Sequence, residues 1–131
     1  MYLTDRIAYV NRENFDLAAE IHLNAGGGTG SEVYYKHADE GGKKLAAKIS
    51  EGIAKTFSLR DRGAKIKLNS AGGDYFGFVR SVRCRSLLIE TVFIDSSSDR
   101  KNVETEAGQK KCGESIAASI AEFYGLCVKN E

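Results

Sequence analysis

The chain has no excess of charge of either sign. Its 131 residues carry 19 Lys and Arg against 18 Asp and Glu, which gives a formal net charge of +1 at pH 7. This balance argues against nucleic acid or an anionic membrane as the main partner, because both attract strongly basic proteins. The chain also has no apolar run long enough to span a bilayer. No basic and then apolar segment of the kind found in signal peptides opens it.

Closely spaced cysteine pairs are missing as well. The three cysteines, Cys84, Cys112 and Cys127, form no CxxC motif. An odd, scattered set is a poor disulfide framework and a poor zinc cage. We therefore predict that these cysteines are reduced and mostly buried.

Strand-like apolar runs alternate with amphipathic helical patterns along the chain. Strands are predicted at residues 17–23, 31–36 and 87–94, and helices near residue 4 and at residues 43–57 and 105–124. The charged residues 60–67 predict a solvated loop that leads into a short strand. Strands that are apolar on both faces and alternate with amphipathic helices are typical of a mostly parallel sheet covered on both sides. The sequence thus predicts one α/β domain over residues 1–131, with helices on both faces of the sheet.

Glu90 interrupts the clearest strand. Its neighbours in LLIETVFI are leucine, isoleucine, threonine, valine and phenylalanine, and burial of an ionised carboxylate costs several kcal/mol unless it is paired. One interpretation is a salt bridge to an arginine, for which the candidates are Arg80, Arg83 and Arg85. The other is a carboxyl group with a raised pKa, positioned for proton transfer.

His22 ends a short strand just before a glycine-rich loop, NAGGGTG. Taken alone, it is either a hydrogen-bonded core residue or a metal ligand. Ligands of open α/β sheets bind beyond the carboxyl ends of the strands, and both His22 and Glu90 are expected toward that edge. A glutamate beside a zinc-bound water is the usual base in such sites. The loop does not match a phosphate-binding motif, and His37 is interpreted as a solvated loop residue.

Two sequence blocks resemble a known family. They are IHLNA, which contains His22, and LIETVF, which contains Glu90. In this order and spacing they are similar to the zinc-dependent N-acetylmuramoyl-L-alanine amidases, the peptidoglycan hydrolases of bacterial autolysins and phage endolysins. The resemblance runs from about Asp5 to the last predicted helix.

The resemblance implies an amidase-type three-layer fold, incomplete at its amino terminus. It also implies hydrolysis of the amide between N-acetylmuramic acid and the L-alanine of the stem peptide, with Zn²⁺ as cofactor and peptidoglycan as partner. By this likeness His22 is a zinc ligand and Glu90 is the catalytic acid/base, while Asn24 and Ala25 contact substrate. The expected location is the cell wall, reached after release of a chain without a signal peptide.

The chain departs from the family in its metal ligands. It contains neither the GHGG-type histidine motif nor the ligand glutamate that precede the first shared block in family members, and Glu32 and His37 do not match those positions. Three protein ligands are the norm for a catalytic zinc. We therefore expect a complementing amino-terminal segment or a homo-oligomer to supply the others. The alternative is a non-catalytic peptidoglycan-binding or interaction module.

Overall fold

Strands and helices alternate along residues 1–127, the part of the chain that the structure, a computed structural model, describes. The helices are α1 (Leu3–Glu13), α2 (Glu40–Phe57), α3 (Gly77–Ser81), α4 (Ser97–Arg100) and α5 (Glu106–Phe123). The strands are β1 (Leu17–Asn24), β2 (Ser31–Tyr35), β3 (Asp61–Lys65) and β4 (Arg85–Phe93). The predicted α/β class is therefore confirmed.

The four strands form one sheet in the order β1-β4-β2-β3. β1 is parallel to β4 and β2 is parallel to β3, whereas β2 and β4 are antiparallel. The sheet is thus mostly parallel, as predicted, with one antiparallel pair at its centre. That pair follows from the short connection between β1 and β2, since a parallel crossover needs a dozen or more residues.

The sheet is covered on both faces. Helices α2 and α5 pack on one face over an apolar cluster that includes Val33, Leu45, Ile49, Leu87 and Ile89, all of them fully buried. On the other face α3 lies near the start of β4, where the Ser86 hydroxyl donates to the carbonyl of Val79. Among residues 1–127, no helix combines the length and the apolar character needed to cross a membrane.

Two details differ from the sequence prediction. Residues 60–67 contain the whole of β3, where a loop leading into a strand was expected. β3 is an edge strand, and charged residues are a common way to protect such an edge. Of the three cysteines only Cys112 is buried, while Cys84 is half-buried and Cys127 is exposed. The prediction that the cysteines are mostly buried is therefore wrong, since only Cys112 is.

The strand β1 borders the sheet on the other side. Within residues 1–127 it pairs only with β4, which leaves its outer backbone groups without a strand partner. Ile21 and Leu23 lie on this strand and are 62% and 47% exposed. The border of the sheet is therefore apolar as well as open.

Candidate active site

Three polar side chains form a row across the middle of the sheet. His22 of β1 is the register partner of Glu90 on β4, and Glu90 is in turn the partner of Glu32 on β2. Residues directly opposite each other on neighbouring strands share a face of the sheet, at a strand spacing of roughly 4.8 Å. The structure thus brings His22 and Glu90 together and adds Glu32 beside them.

Within residues 1–127 no side chain forms a salt bridge with the carboxylate of Glu90. Its Oε2 atom is buried and has no hydrogen-bond partner among the described residues. Arg85 instead pairs with Asp39, with 2.9 Å between Nε and Oδ2, and Arg80 donates to the backbone carbonyls of Asp74 and Tyr75. Arg83 contributes only its backbone N–H, to Asn11, so the arginine salt bridge, one of the two interpretations of Glu90, is wrong for all three candidates.

Burial raises the pKa of Glu90 above its ordinary value, because a carboxylate loses hydration when it is enclosed. Nearby His22 acts in the opposite direction, and the negative charge of Glu32 raises the pKa further. A carboxyl group with a raised pKa binds a proton more readily near neutral pH, which suits a group that accepts and returns protons.

Glu32 differs from Glu90 in that both of its oxygens are paired. Only 4% of the residue is exposed, Oε1 accepts from Asn24 Nδ2 at 2.7 Å, and Oε2 accepts from Arg62 Nε at 3.2 Å. These contacts occupy the carboxylate, whereas Glu90 is left with a free oxygen. Sequence reasoning missed the place of Glu32 in the row, since the only signal was one acidic residue in the short strand SEVYY.

The imidazole of His22 is held by a carboxylate from its own strand. Its Nε2 atom lies 3.0 Å from Glu20 Oε2, and 44% of the side chain is exposed. The interpretation of His22 as a core residue is therefore wrong. Glu20 itself, whose side chain is only 12% exposed, was not singled out in the sequence.

Asn24 connects the end of β1 to the row. Its amide nitrogen donates to Glu32, and its oxygen accepts from the backbone N–H of Ala25 at 2.9 Å. These contacts give Asn24 a structural role in positioning Glu32. Contact of Asn24 and Ala25 with substrate stays a prediction.

The glycine-rich loop is tied to the end of β4 by two aspartates. Asp95 Oδ2 accepts from the backbone N–H groups of Gly26 and Gly27 at 2.9 and 2.8 Å, and these donors lower the pKa of Asp95. Asp99 Oδ2 accepts from the backbone N–H groups of Gly30 and Phe93 at 2.8 and 3.0 Å. The loop is therefore held by carboxylates of this chain.

We expect Asp99→Ala to destabilise the fold by about 3 kcal/mol, because two buried N–H groups lose their only acceptor. Asp99 is 1% exposed, so water does not replace it easily. Urea unfolding followed by circular dichroism measures the change. Asp99→Asn is the matched control, because its amide oxygen accepts the same two bonds. Equal losses in both variants would contradict the explanation.

His37 lies far from the row. It follows β2 at the end opposite Glu32, five residues and roughly 15 Å away. Its Nδ1 atom is 3.0 Å from Asp74 Oδ2, and its backbone N–H donates to the same carboxylate. His37 is 45% exposed, which agrees with a loop residue, but it does not complete a site with His22.

The described residues do not form a complete metal site. Within residues 1–127 no group of three or more His, Cys, Asp or Glu side chains is arranged to hold a metal ion. His22 supplies one imidazole, Glu20 and Glu32 are engaged by other side chains, and the buried Oε2 atom of Glu90 has no hydrogen-bond partner among these residues. The donor set therefore does not hold a zinc ion by itself.

A sequence profile described as N-acetylmuramoyl-L-alanine amidase matches residues 1–122. This match covers nearly the whole chain and includes both sequence blocks. The chain belongs to the N-acetylmuramoyl-L-alanine amidase family. The resemblance seen in the two blocks is thereby confirmed at the level of the family.

Individual amidases and related proteins agree with this membership. The N-acetylmuramoyl-L-alanine amidase LytC of Bacillus subtilis is 28% identical over 127 residues, which are 93% of this chain and 24% of LytC. The structure of Cwp6 from Clostridium difficile is 33% identical with a TM-score of 0.89, over 94% of this chain and 20% of that one. An N-acetylmuramoyl-L-alanine amidase from Clostridium difficile 630 is 27% identical with a TM-score of 0.81, over 95% of this chain and 66% of that one. This chain thus spans less than two thirds of each relative.

Proposed function

We propose that this chain is part of a peptidoglycan hydrolase that cleaves the amide between N-acetylmuramic acid and the L-alanine of the stem peptide, and that acts at the cell wall. The observation that carries the proposal is Glu90, a carboxylate with one buried, unpartnered oxygen in a family of amidases. An unpaired carboxylate is a cost to the fold that a proton-transfer role explains.

Glu90 serves as the acid/base in this proposal. Its carboxylate accepts a proton from the attacking water as the new C–O bond forms at the scissile carbonyl. The same group then gives the proton to the departing amine of L-alanine as the C–N bond breaks, so that one residue performs both transfers. Burial and the charge of Glu32 raise the pKa of Glu90, which favours its holding the proton between the two transfers.

Zn²⁺ is the proposed cofactor, with His22 as one ligand. Because residues 1–127 hold no complete ligand set, the proposal requires further ligands from polypeptide outside the described residues or from a second copy of the chain. When bound, zinc would supply a Lewis acid for amide hydrolysis.

The test combines product analysis with zinc content, on the protein isolated with any polypeptide that co-purifies. Amide cleavage frees the α-amino group of L-alanine in purified cell walls without creating new reducing sugar ends. We expect new L-alanine amino termini and close to one zinc per chain by elemental analysis. New reducing ends instead would indicate a glycosidase and would overturn the proposal.

A non-catalytic peptidoglycan-binding module is the second candidate. The incomplete ligand set among residues 1–127 favours it. Zinc at background, no freed amino termini and retained sedimentation with cell walls would support this function over hydrolysis.

We expect His22→Ala to lower zinc affinity by at least about a hundredfold, since a direct ligand contributes more than an outer-shell residue. The free energy of unfolding should change by less than about 1 kcal/mol, because the side chain is 44% exposed. Calorimetric zinc titration and urea unfolding measure the two effects. His37→Ala is the control and should leave zinc affinity unchanged; large, equal losses in stability and zinc binding with His22→Ala would mark it as a structural residue.

A further inference from the structure

The two borders of the sheet differ in how they are protected. β3 carries Asp61, Arg62 and Lys65 along one border, and charged residues are a common protection against unwanted strand pairing. β1 contains no lysine, arginine or proline. Among residues 1–127 no strand lies on its outer side. β1 is therefore the border to which a further strand can be added.

The outward-facing backbone groups of β1 belong to its apolar residues. The carbonyl of Asn24 accepts from the N–H of Ile94, directly after β4, at 2.8 Å. The backbone groups of Asn24 thus point toward the β4 side. Because these groups alternate in direction along a strand, those of Ala19, Ile21 and Leu23 point outward, where an added strand would bind them.

The two faces of β1 are chemically distinct at this border. Ile21 and Leu23 are both largely exposed, and together with Ile116 of α5 they line a shallow apolar groove of about 190 Å³. The opposite face of the strand carries Glu20 and His22, since alternate residues share a face. A strand that fits this border must therefore present apolar side chains on one face and polar side chains on the other.

The sequence of β1 itself meets this requirement when it is reversed. A second copy of β1, laid antiparallel about Ile21, places Ile21 opposite Ile21, Ala19 opposite Leu23 and Glu20 opposite His22. Apolar residues then meet apolar residues on one face, and each carboxylate meets an imidazole on the other. The ladder hydrogen bonds also fit, because the backbone groups of both Ile21 residues point toward the partner strand.

Electrostatics favours this register over the other one of equal length. A register centred on Glu20 pairs residues 17–23 of the two copies and sets the two Glu20 carboxylates directly opposite each other, which is destabilising. The register centred on Ile21 pairs residues 18–24 and places no like charges opposite each other. β1 is thus complementary to itself in one particular register.

We propose that two copies of this chain pair through β1, antiparallel and centred on Ile21, so that their two four-stranded sheets become one continuous sheet. A two-fold axis passes through the Ile21 pair, and two-fold symmetry is the commonest in homo-oligomers. The polar row of each copy then ends at the interface, with Glu20 of the second copy opposite His22. The interface does not depend on the proposed function.

Sedimentation velocity of the whole chain at several concentrations tests the pairing. We expect a species with the mass of two chains. Ile21→Lys should raise the dimer dissociation constant at least about 30-fold, because it replaces the central apolar contact with two like charges. Ile66→Lys is the matched control, since Ile66 is 48% exposed but lies just beyond β3. It should leave the dimer unchanged.

A mixing experiment separates loss of pairing from loss of folding. Because Ile21 lies opposite itself, Ile21→Glu should also be monomeric, through repulsion between its two carboxylates. An equimolar mixture of Ile21→Lys and Ile21→Glu should form a heterodimer, since opposite charges then face each other. Two unfolded variants would not recover a dimer on mixing.

Cysteine cross-linking tests the register. Ile21→Cys brings two Cα atoms to roughly 5.5 Å across the ladder, within the range of a disulfide. Ala19→Cys is the control, because its two copies lie four residues apart along the ladder, roughly 13 Å. Both are combined with Cys127→Ser, since Cys127 is exposed. Mild oxidation should link the Ile21→Cys chains and leave the Ala19→Cys chains unlinked.

Two kinds of result would overturn the proposal. A wild-type chain that stays monomeric, or that co-purifies with a different polypeptide released by Ile21→Lys, shows that a second copy does not occupy the border. A dimer that survives Ile21→Lys, or that is linked through Ala19→Cys, shows that the copies pair elsewhere or in another register. A dimer that meets these tests but hydrolyses no peptidoglycan contradicts the proposed function alone.

Discussion

Glu90→Gln is expected to lower hydrolysis at least about a hundredfold and at the same time to raise the free energy of unfolding at pH 8 by about 1 kcal/mol. The activity falls because the amide of glutamine cannot accept and return the proton. The stability rises because the variant removes a half-buried negative charge that makes no salt bridge with the residues the structure describes. Freed L-alanine amino termini and urea unfolding measure the two quantities.

The raised pKa of Glu90 also predicts the direction in which stability changes with pH. Because the pKa of Glu90 is raised in the folded state, the folded protein holds the proton more tightly than the unfolded chain. The contribution of Glu90 to the stability of the fold is therefore present at low pH. It is lost as the pH rises from the ordinary carboxyl value through the raised one. The Glu90→Gln variant should lack this loss of stability with rising pH.

A surface glutamate is the control for Glu90→Gln. Glu51 pairs with Lys55 on the exposed side of α2, where its side chain is 55% exposed. Glu51→Gln should leave both activity and stability close to those of the wild-type protein, because exposed ion pairs contribute little. A Glu90→Gln protein that is less stable than wild type at pH 8, or that retains full activity, would contradict the proposed role.

Arg62→Met is expected to destabilise the fold by about 3 kcal/mol and to lower Tm by about 10 °C. The substitution leaves the carboxylate of Glu32 buried with only Asn24 as a partner. Methionine keeps apolar contact with the ring of Phe93, over which the guanidinium lies at 5.1 Å. The loss of stability therefore measures the effect of leaving the charge of Glu32 without its arginine partner. Thermal and urea unfolding measure it.

The double variant Arg62→Met with Glu32→Gln should recover most of this loss, because no unpaired charge is left buried. Lys55→Met removes an exposed ion pair and should change the stability of the fold only slightly. If Arg62→Met were no more costly than Lys55→Met, the pair of Glu32 and Arg62 would not stabilise the site.

The sequence predicts those parts of the molecule that depend on local pattern. Helical spacing locates α2 and α5 because their buried residues repeat every three or four positions. Glu90 stands out because one charge interrupts an apolar strand. The block IHLNA singles out His22 and indicates the family of the chain. This block lies within the residues that the family profile matches.

The parts that depend on neighbouring strands could not be predicted in this way. Glu32 lies beside Glu90 only because β4 is inserted between β1 and β2, and strand order is not a local property. The contact of Arg6 with Glu20 joins residues 14 positions apart on different elements. The bounds of β3 could not be predicted, because its charged residues resemble a solvated loop and its pairing with β2 is not visible in the sequence.

The open border of β1 determines how near another polypeptide can come to the imidazole of His22. A strand laid along that border would place its side chains roughly 5 Å from those of β1. One added strand would therefore bring its side chains next to that of His22.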